Sequence, residues 1–159
     1  MTLTLPQIKG VLQPGDIFLT RNANEEDNQT PGYWNHCAAY AGADQVVEAQ
    51  SGPGEVITSN LDEFLRRYPR IRVLRLVGQK PGSGVAVSFA ASALVGRPYS
   101  ALVSRFKRLK RAERRGENCV TVVRRAMLDA LGKDPQWKLP DDVDKDSRLS
   151  AIPECEVGA

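Results

Sequence analysis

Metal ligands are scarce in this sequence. It has one histidine, His36, and three cysteines, Cys37, Cys119 and Cys155, with no Cys-x-x-Cys pair among them. Zinc is held by four such side chains, or by three and a water, so neither a metal site nor another cofactor is expected. An odd set of widely spaced cysteines likewise argues against a disulfide framework. Aromatic residues make up only 6% of the chain, too few to interleave with its basic run as base-stacking platforms, and nucleic acid ranks last among the partners considered. Long apolar runs are missing too. The most apolar stretch, Val85 to Gly96, is broken by Ser88 and Ser92 and is too short to span a bilayer. Residues 1–10 lack the basic, apolar and small-residue succession of a secretion signal, which gives the expectation of a cytoplasmic chain.

What is present suits one globular domain. The chain has 159 residues, 42% of them hydrophobic and 26% charged, enough to bury a core without staples. Residues 13–150 are read as a single domain, with 1–12 and 151–159 as terminal extensions. The net charge of +3 conceals an uneven distribution. Residues 97–125 carry ten Lys/Arg against Glu113 and Glu117, while residues 129–156 carry eight Asp/Glu against four Lys/Arg. Such a basic block fits an anionic partner, or an acidic block facing it within the fold.

The pattern of elements is α+β, with strands gathered first and helices mainly after them. Pro14-Gly15-Asp16 turns into a buried strand at Ile17-Phe18-Leu19-Thr20. Arg21 to Gly32 is a polar loop long enough to act as a lid. Tyr33–Tyr40 and Gln45–Gln50 read as a hairpin, followed by a brief strand at Val56-Ile57-Thr58. Asn60 and Glu63 form a capping-box pattern ahead of a short helix that Pro69 ends, and Ile71–Val77 alternates as a strand. Val85 to Val95 is apolar nearly all round, which predicts a buried helix. The Pro- and Asp-rich tail from Trp137 is expected to wrap the surface.

Asn118 is a good N-cap, Val120, Val123, Met127 and Leu128 form an apolar stripe, and Gly132 is a natural helix stop. Cys119 therefore sits in a helical first turn, where the helix dipole and unpaired N–H groups favour a thiolate. A nucleophilic thiol needs a base, and His36 is the one histidine available. Glu48, between Val47 and Ala49, is a carboxylate in apolar company and needs a hydrogen-bond donor. A hairpin closed by Ala41-Gly42-Ala43 places His36 directly opposite Glu48 on one sheet face; a two-residue loop puts them on opposite faces. Cys119 is thus the candidate nucleophile, His36 the base and Glu48 the residue that orients it. The Cys119 backbone N–H is the first oxyanion donor, with Asn35, Asn118 or Tyr99 open as the second. Cys37, next to His36, points to the other face and reads as core, and Cys155 reads as incidental.

The succession Pro14-Gly15-Asp16-Ile17, Asn35-His36-Cys37-Ala38-Ala39-Tyr40, Val46-Val47-Glu48-Ala49, Gly96-Arg97-Pro98-Tyr99 and Asn118-Cys119-Val120 resembles the circularly permuted papain-like cysteine hydrolases. It is closest to their YiiX-like branch within the NlpC-type superfamily, relatives of the lecithin:retinol acyltransferase group. The resemblance covers about residues 13–150, and in that group the histidine strand precedes the cysteine helix. It implies a papain-like antiparallel sheet, curled towards a barrel and packed against the Cys119 helix. It also implies that Cys119, His36 and Glu48 are nucleophile, base and orienting acid, with Tyr99 near the site. Val120-Thr121 stands where the family often has Ser-Glu, and the connection from Tyr99 to Cys119 is unusually basic, a departure that leaves the substrate open. The implied activity is a hydrolase or acyltransferase working on a peptide, isopeptide, peptidoglycan stem or lipid acyl group. The basic run 105–115, with Arg105, Lys107 and Arg108, suits an anionic substrate or an anionic membrane surface. The alternative is a non-catalytic module that binds an acidic partner or a membrane through that run.

Overall fold

The computed structural model describes residues 5–23, 31–100 and 116–157. The basic run 105–115, including Arg105, Lys107 and Arg108, and residues 24–30 of the polar loop lie outside the described residues. Six antiparallel strands form one sheet in the order β4-β3-β2-β1-β5-β6. They are β1 Ile17–Arg21, β2 His36–Gly42, β3 Gln45–Gln50, β4 Glu55–Asn60, β5 Arg70–Leu76 and β6 Leu149–Ala151. The sheet is open, with β4 and β6 at its edges, and does not close into a barrel.

Period-2 alternation sorts the side chains onto two faces, each with its own core. Ile17, Leu19, Cys37, Ala39, Val47 and Leu74 pack on one side against α3 (Ser83–Ser92) and α4 (Cys119–Leu131). Phe18, Ala38, Tyr40, Val46 and Val73 pack on the other against Phe64 and Leu65 of α2 (Leu61–Arg67). Burying one such large apolar side chain contributes about 1.5–3 kcal/mol, so both helical layers are firmly fixed to the sheet. Ile8 of α1 (Leu5–Val11) and Cys155 are also buried in this second core, and Val157 pairs with Ile71. Cys155 is thus a packed residue and not an incidental one.

Three further expectations need correction. The β2–β3 turn is the two residues Ala43-Asp44, both with positive φ, and not Ala41-Gly42-Ala43. Ala39 pairs with Val47 and Tyr40 with Val46, but Gly42 pairs with Gln45, so Ala41 is an extra residue on β2. That bulge restores the parity a two-residue turn would otherwise have reversed. Continued along β2, the register puts Glu48 diagonal to His36 on the same face, two positions from directly opposite. Secondly, α3 is not buried all round: Val87 and Ala91 face α4, whereas Phe89 is 73% exposed. Thirdly, the tail does more than wrap the surface. It forms α5 (Pro140–Asp144), with Trp137 and Val143 buried, and then supplies β6 beside β5.

Candidate active site

The helix carrying Cys119 starts where its sequence says it should. Asn118 is extended, its side-chain oxygen accepts from Thr121 N at 3.0 Å, and its own N–H donates to Thr121 Oγ1 at 2.8 Å. This reciprocal cap fixes the first turn and places Cys119 as its first residue. The approach is equally constrained. Gly116 has φ of 93°, and a Cβ there would lie 2.2 Å from the Pro98 carbonyl oxygen, so only glycine fits. The neighbouring Glu117 N–H donates to that carbonyl at 2.7 Å, and Ser100 N–H donates to the Glu117 carbonyl. Segment 96–100 is clipped on its other side to β4 and the residue before it, through Val56 N–H to the Arg97 carbonyl and Tyr99 N–H to the Gly54 carbonyl. Tyr99 is thereby held beside the start of the Cys119 helix. The side chain of Glu117 is fully buried and paired with Arg125 at 2.8 Å and Arg97 at 3.1 Å.

His36 is the first residue of β2, its ring stacked on Tyr68 at 5.8 Å between centroids. Its Nε2 meets Glu48 Oε2 at 2.8 Å. That leaves Nδ1 as the ring nitrogen for Cys119, whose thiol interacts with the imidazole. Cys37 also hydrogen-bonds the Cys119 side chain. This follows from the fold: Cys37 does point away from the His36 face, but into the face that carries the Cys119 helix.

The charges are arranged for an ion pair. The Cys37 hydrogen bond lowers the Cys119 thiol well below the ordinary range; burial opposes this, and His36 lowers it further. Burial pushes His36 down, but Tyr68, Cys119 and Glu48 together hold it well above its usual value. Burial raises Cys37, so its thiol stays protonated and can donate. Tyr99 is also raised, by burial and then by the Cys119 charge, which keeps its phenol a donor.

Glu48 is 0% exposed, so its charge must be met internally. Burial raises it, yet His36, Ser59 and Gln50 bring it down to about 2. Ser59 Oγ and Arg67 Nη1 both donate to Oε1, the latter at 2.9 Å. Ser59→Ala is expected to cost about 1–3 kcal/mol at neutral pH, since it strips a donor from a buried carboxylate. Urea unfolding measures this, and the cost shrinks as pH falls through about 2 and Glu48 takes up a proton. A full-sized cost persisting in strong acid would show that Ser59 does not act through the Glu48 charge.

Of the residues singled out in the sequence, Cys119, His36, Glu48 and Tyr99 come together. The Asn118 side-chain oxygen is occupied in capping. Asn35 lies next to His36, with its Oδ1 buried and unpartnered among the described residues. Sequence reasoning missed Ser59, Arg67 and Glu117 and gave Cys37 no part in the site. The available signal for the first two was the need of Glu48 for donors, with Asn60 starting the helix that carries Arg67. Among the described residues, no group of three or more His, Cys, Asp or Glu could hold a metal ion, and no helix is long and apolar enough to cross a membrane.

A family model described as permuted papain-like amidase enzyme, YaeF/YiiX, C92 family, matches residues 11–132. The crystal structure of the metalloprotein YiiX from Escherichia coli O157:H7 superposes with a TM-score of 0.66. The match covers 88% of this chain and 96% of that one at 16% identity, a likeness of fold. No curated protein matches the chain by sequence.

Proposed function

This chain belongs to the permuted papain-like amidase family, and from that premise we propose that it hydrolyses an amide through an acyl-thioester on Cys119. The observation that carries the reading is the chain of contacts from Glu48 through His36 to the Cys119 thiol. The Cys119 thiolate attacks the carbonyl carbon, and the negative charge moves to the carbonyl oxygen. The Cys119 backbone N–H and the Tyr99 phenol are proposed to receive that oxyanion, Tyr99 being preferred to Asn35 or Asn118 because burial keeps its O–H. Protonated His36 then gives its proton to the leaving amine. The neutral imidazole next takes a proton from water, which attacks the thioester and frees Cys119. Glu48 touches neither substrate nor sulfur; it orients the ring and stabilises the imidazolium.

The acyl group is a peptide, isopeptide or lipid acyl chain, and an acceptor other than water would make the same site an acyltransferase. Anion binding by Arg105, Lys107 and Arg108, or by the whole run 105–115, remains a proposal about residues outside the described structure. The same holds for the non-catalytic module built on that run. YiiX is described as a metalloprotein, whereas the described residues here include no group of three or more His, Cys, Asp or Glu that could hold a metal ion.

The test is to expose the reduced protein to a library of activated amides and esters and to read adducts by mass. An acyl group is expected on the Cys119 peptide, and none in His36→Ala. No adduct from any member, or equal modification of Cys37 and Cys155, counts against the reading.

A further inference from the structure

We propose that Cys37 and Cys119 form a peroxide-oxidisable dithiol, in which a hydroperoxide oxidises Cys119 and Cys37 closes a disulfide onto it. Two cysteines from distant parts of the chain meet at one point. Cys37 is the second residue of β2, fully buried on the face that packs against α4. Cys119 is the first residue of α4 and packs, half-buried, at the rim of the same core that holds Cys37, where the two thiols interact. One sulfur therefore belongs to a half-buried residue at the edge of the core, within reach of a molecule as small as a peroxide, and the other lies fully inside the same core.

The chemistry balances with the peroxide as the only added reactant. The Cys119 thiolate attacks one peroxide oxygen and breaks the O–O bond; sulfur is oxidised to the sulfenic acid, and hydroxide leaves and is protonated to water. The Cys37 sulfur then attacks the sulfenic sulfur. The S–S bond forms, the S–O bond breaks, and the Cys37 proton departs with that hydroxyl as a second water. Two thiols and one hydroperoxide become one disulfide and two waters when the oxidant is hydrogen peroxide. Without a second thiol in contact, the sulfenic acid meets further peroxide and goes on to the irreversible sulfinic acid. The disulfide lacks the nucleophile, so oxidation switches the proposed amidase off and reduction restores it. This last consequence rests on the acyl-enzyme reading; the dithiol itself does not.

Hydrogen peroxide at a low molar ratio to the reduced protein, followed by alkylation in denaturant, which exposes the buried thiols, and peptide mass mapping, tests the pair. In the wild type, the protein is expected to lose two hydrogens by mass and to keep one alkylatable thiol of its three, on Cys155. Mapping should link Cys37 to Cys119, and dithiothreitol should reverse the change. In Cys37→Ala, or in Cys37→Ser if the first variant does not fold, Cys119 should instead gain oxygen that dithiothreitol does not remove once the sulfinic acid is reached. The proposal is overturned if wild-type Cys119 gains oxygen while Cys37 stays alkylatable, if the linked pair includes Cys155, or if Cys119 does not react. No substrate enters these measurements. A disulfide in a protein that forms no acyl adduct therefore refutes the amidase alone, and adducts without a disulfide refute the dithiol alone.

Discussion

Cys119→Ala is expected to abolish amide hydrolysis, lowering turnover by about 10⁴-fold or more, because loss of the attacking atom removes the covalent route entirely. What then remains is binding and the oxyanion donors acting on a water. The loss is separable from unfolding. Cys119 is half-buried at the helix start, and the cap on which that helix depends belongs to Asn118 and Thr121. Stability should therefore change by no more than about 1 kcal/mol. Cys119→Ser is the stricter variant. It keeps a nucleophilic atom of similar size but replaces a lowered thiol with a hydroxyl that His36 does not ionise, so it too should be nearly inactive. Steady-state hydrolysis of a substrate identified by adduct trapping, with thermal melts run alongside, checks both variants. An alanine variant keeping more than about a tenth of wild-type turnover would remove Cys119 from the reaction.

How far this site could be read from the sequence depended on whether the controlling interaction was local. The Cys119 helix was legible at both ends because caps are local chemistry: Asn118 bonds three residues ahead, and Gly132 takes the left-handed φ of 74°. The link between His36 and Glu48 was half legible. A carboxylate between Val47 and Ala49 had to find a donor, and a single histidine narrowed the choice. The register was misread because Ala43-Asp44 is an unusual pair for a turn with two positive φ values, where glycine or asparagine is the common signal. The bulge at Ala41 leaves no mark in composition. The outward side of α3 was illegible for another reason: a helix apolar on every side carries no periodicity to say which side meets solvent. Cys37 was placed on the correct face, but which face the Cys119 helix would cover is decided by tertiary packing. Its contact with the nucleophile could not be read from position alone.

Glu48→Gln separates the orienting role from mere occupancy of space, because the amide keeps the shape and removes the charge. His36 is held well above its usual value against the effect of burial, with Tyr68, Cys119 and Glu48 supplying the opposing pull. With Glu48 uncharged, burial gains and the ring loses its proton at lower pH. The active pair needs a thiolate and a protonated ring, so activity falls as pH rises through the His36 value. The alkaline limb of kcat/KM should therefore move to lower pH in Glu48→Gln, and the plateau should drop by about 10²–10⁴-fold. Thiol reactivity gives a second reading through the same residues. In His36→Ala, Cys119 loses one of the two groups that lower it, and its labelling near neutral pH should slow by about 10–100-fold. Stability supplies a third, of opposite sign in pH. Glu48 lies at about 2, below the carboxylate value of 4.5, so its contribution is complete above 4.5 and is lost as pH falls through about 2. The drop amounts to about 3 kcal/mol in the wild type and should be missing from Glu48→Gln. Because the Gln variant starts from a lower stability at neutral pH, the two curves should converge in acid. A Glu48→Gln enzyme with an unmoved alkaline limb, but with that converging stability, would leave Glu48 a structural acid and give the orientation of His36 to Tyr68 alone.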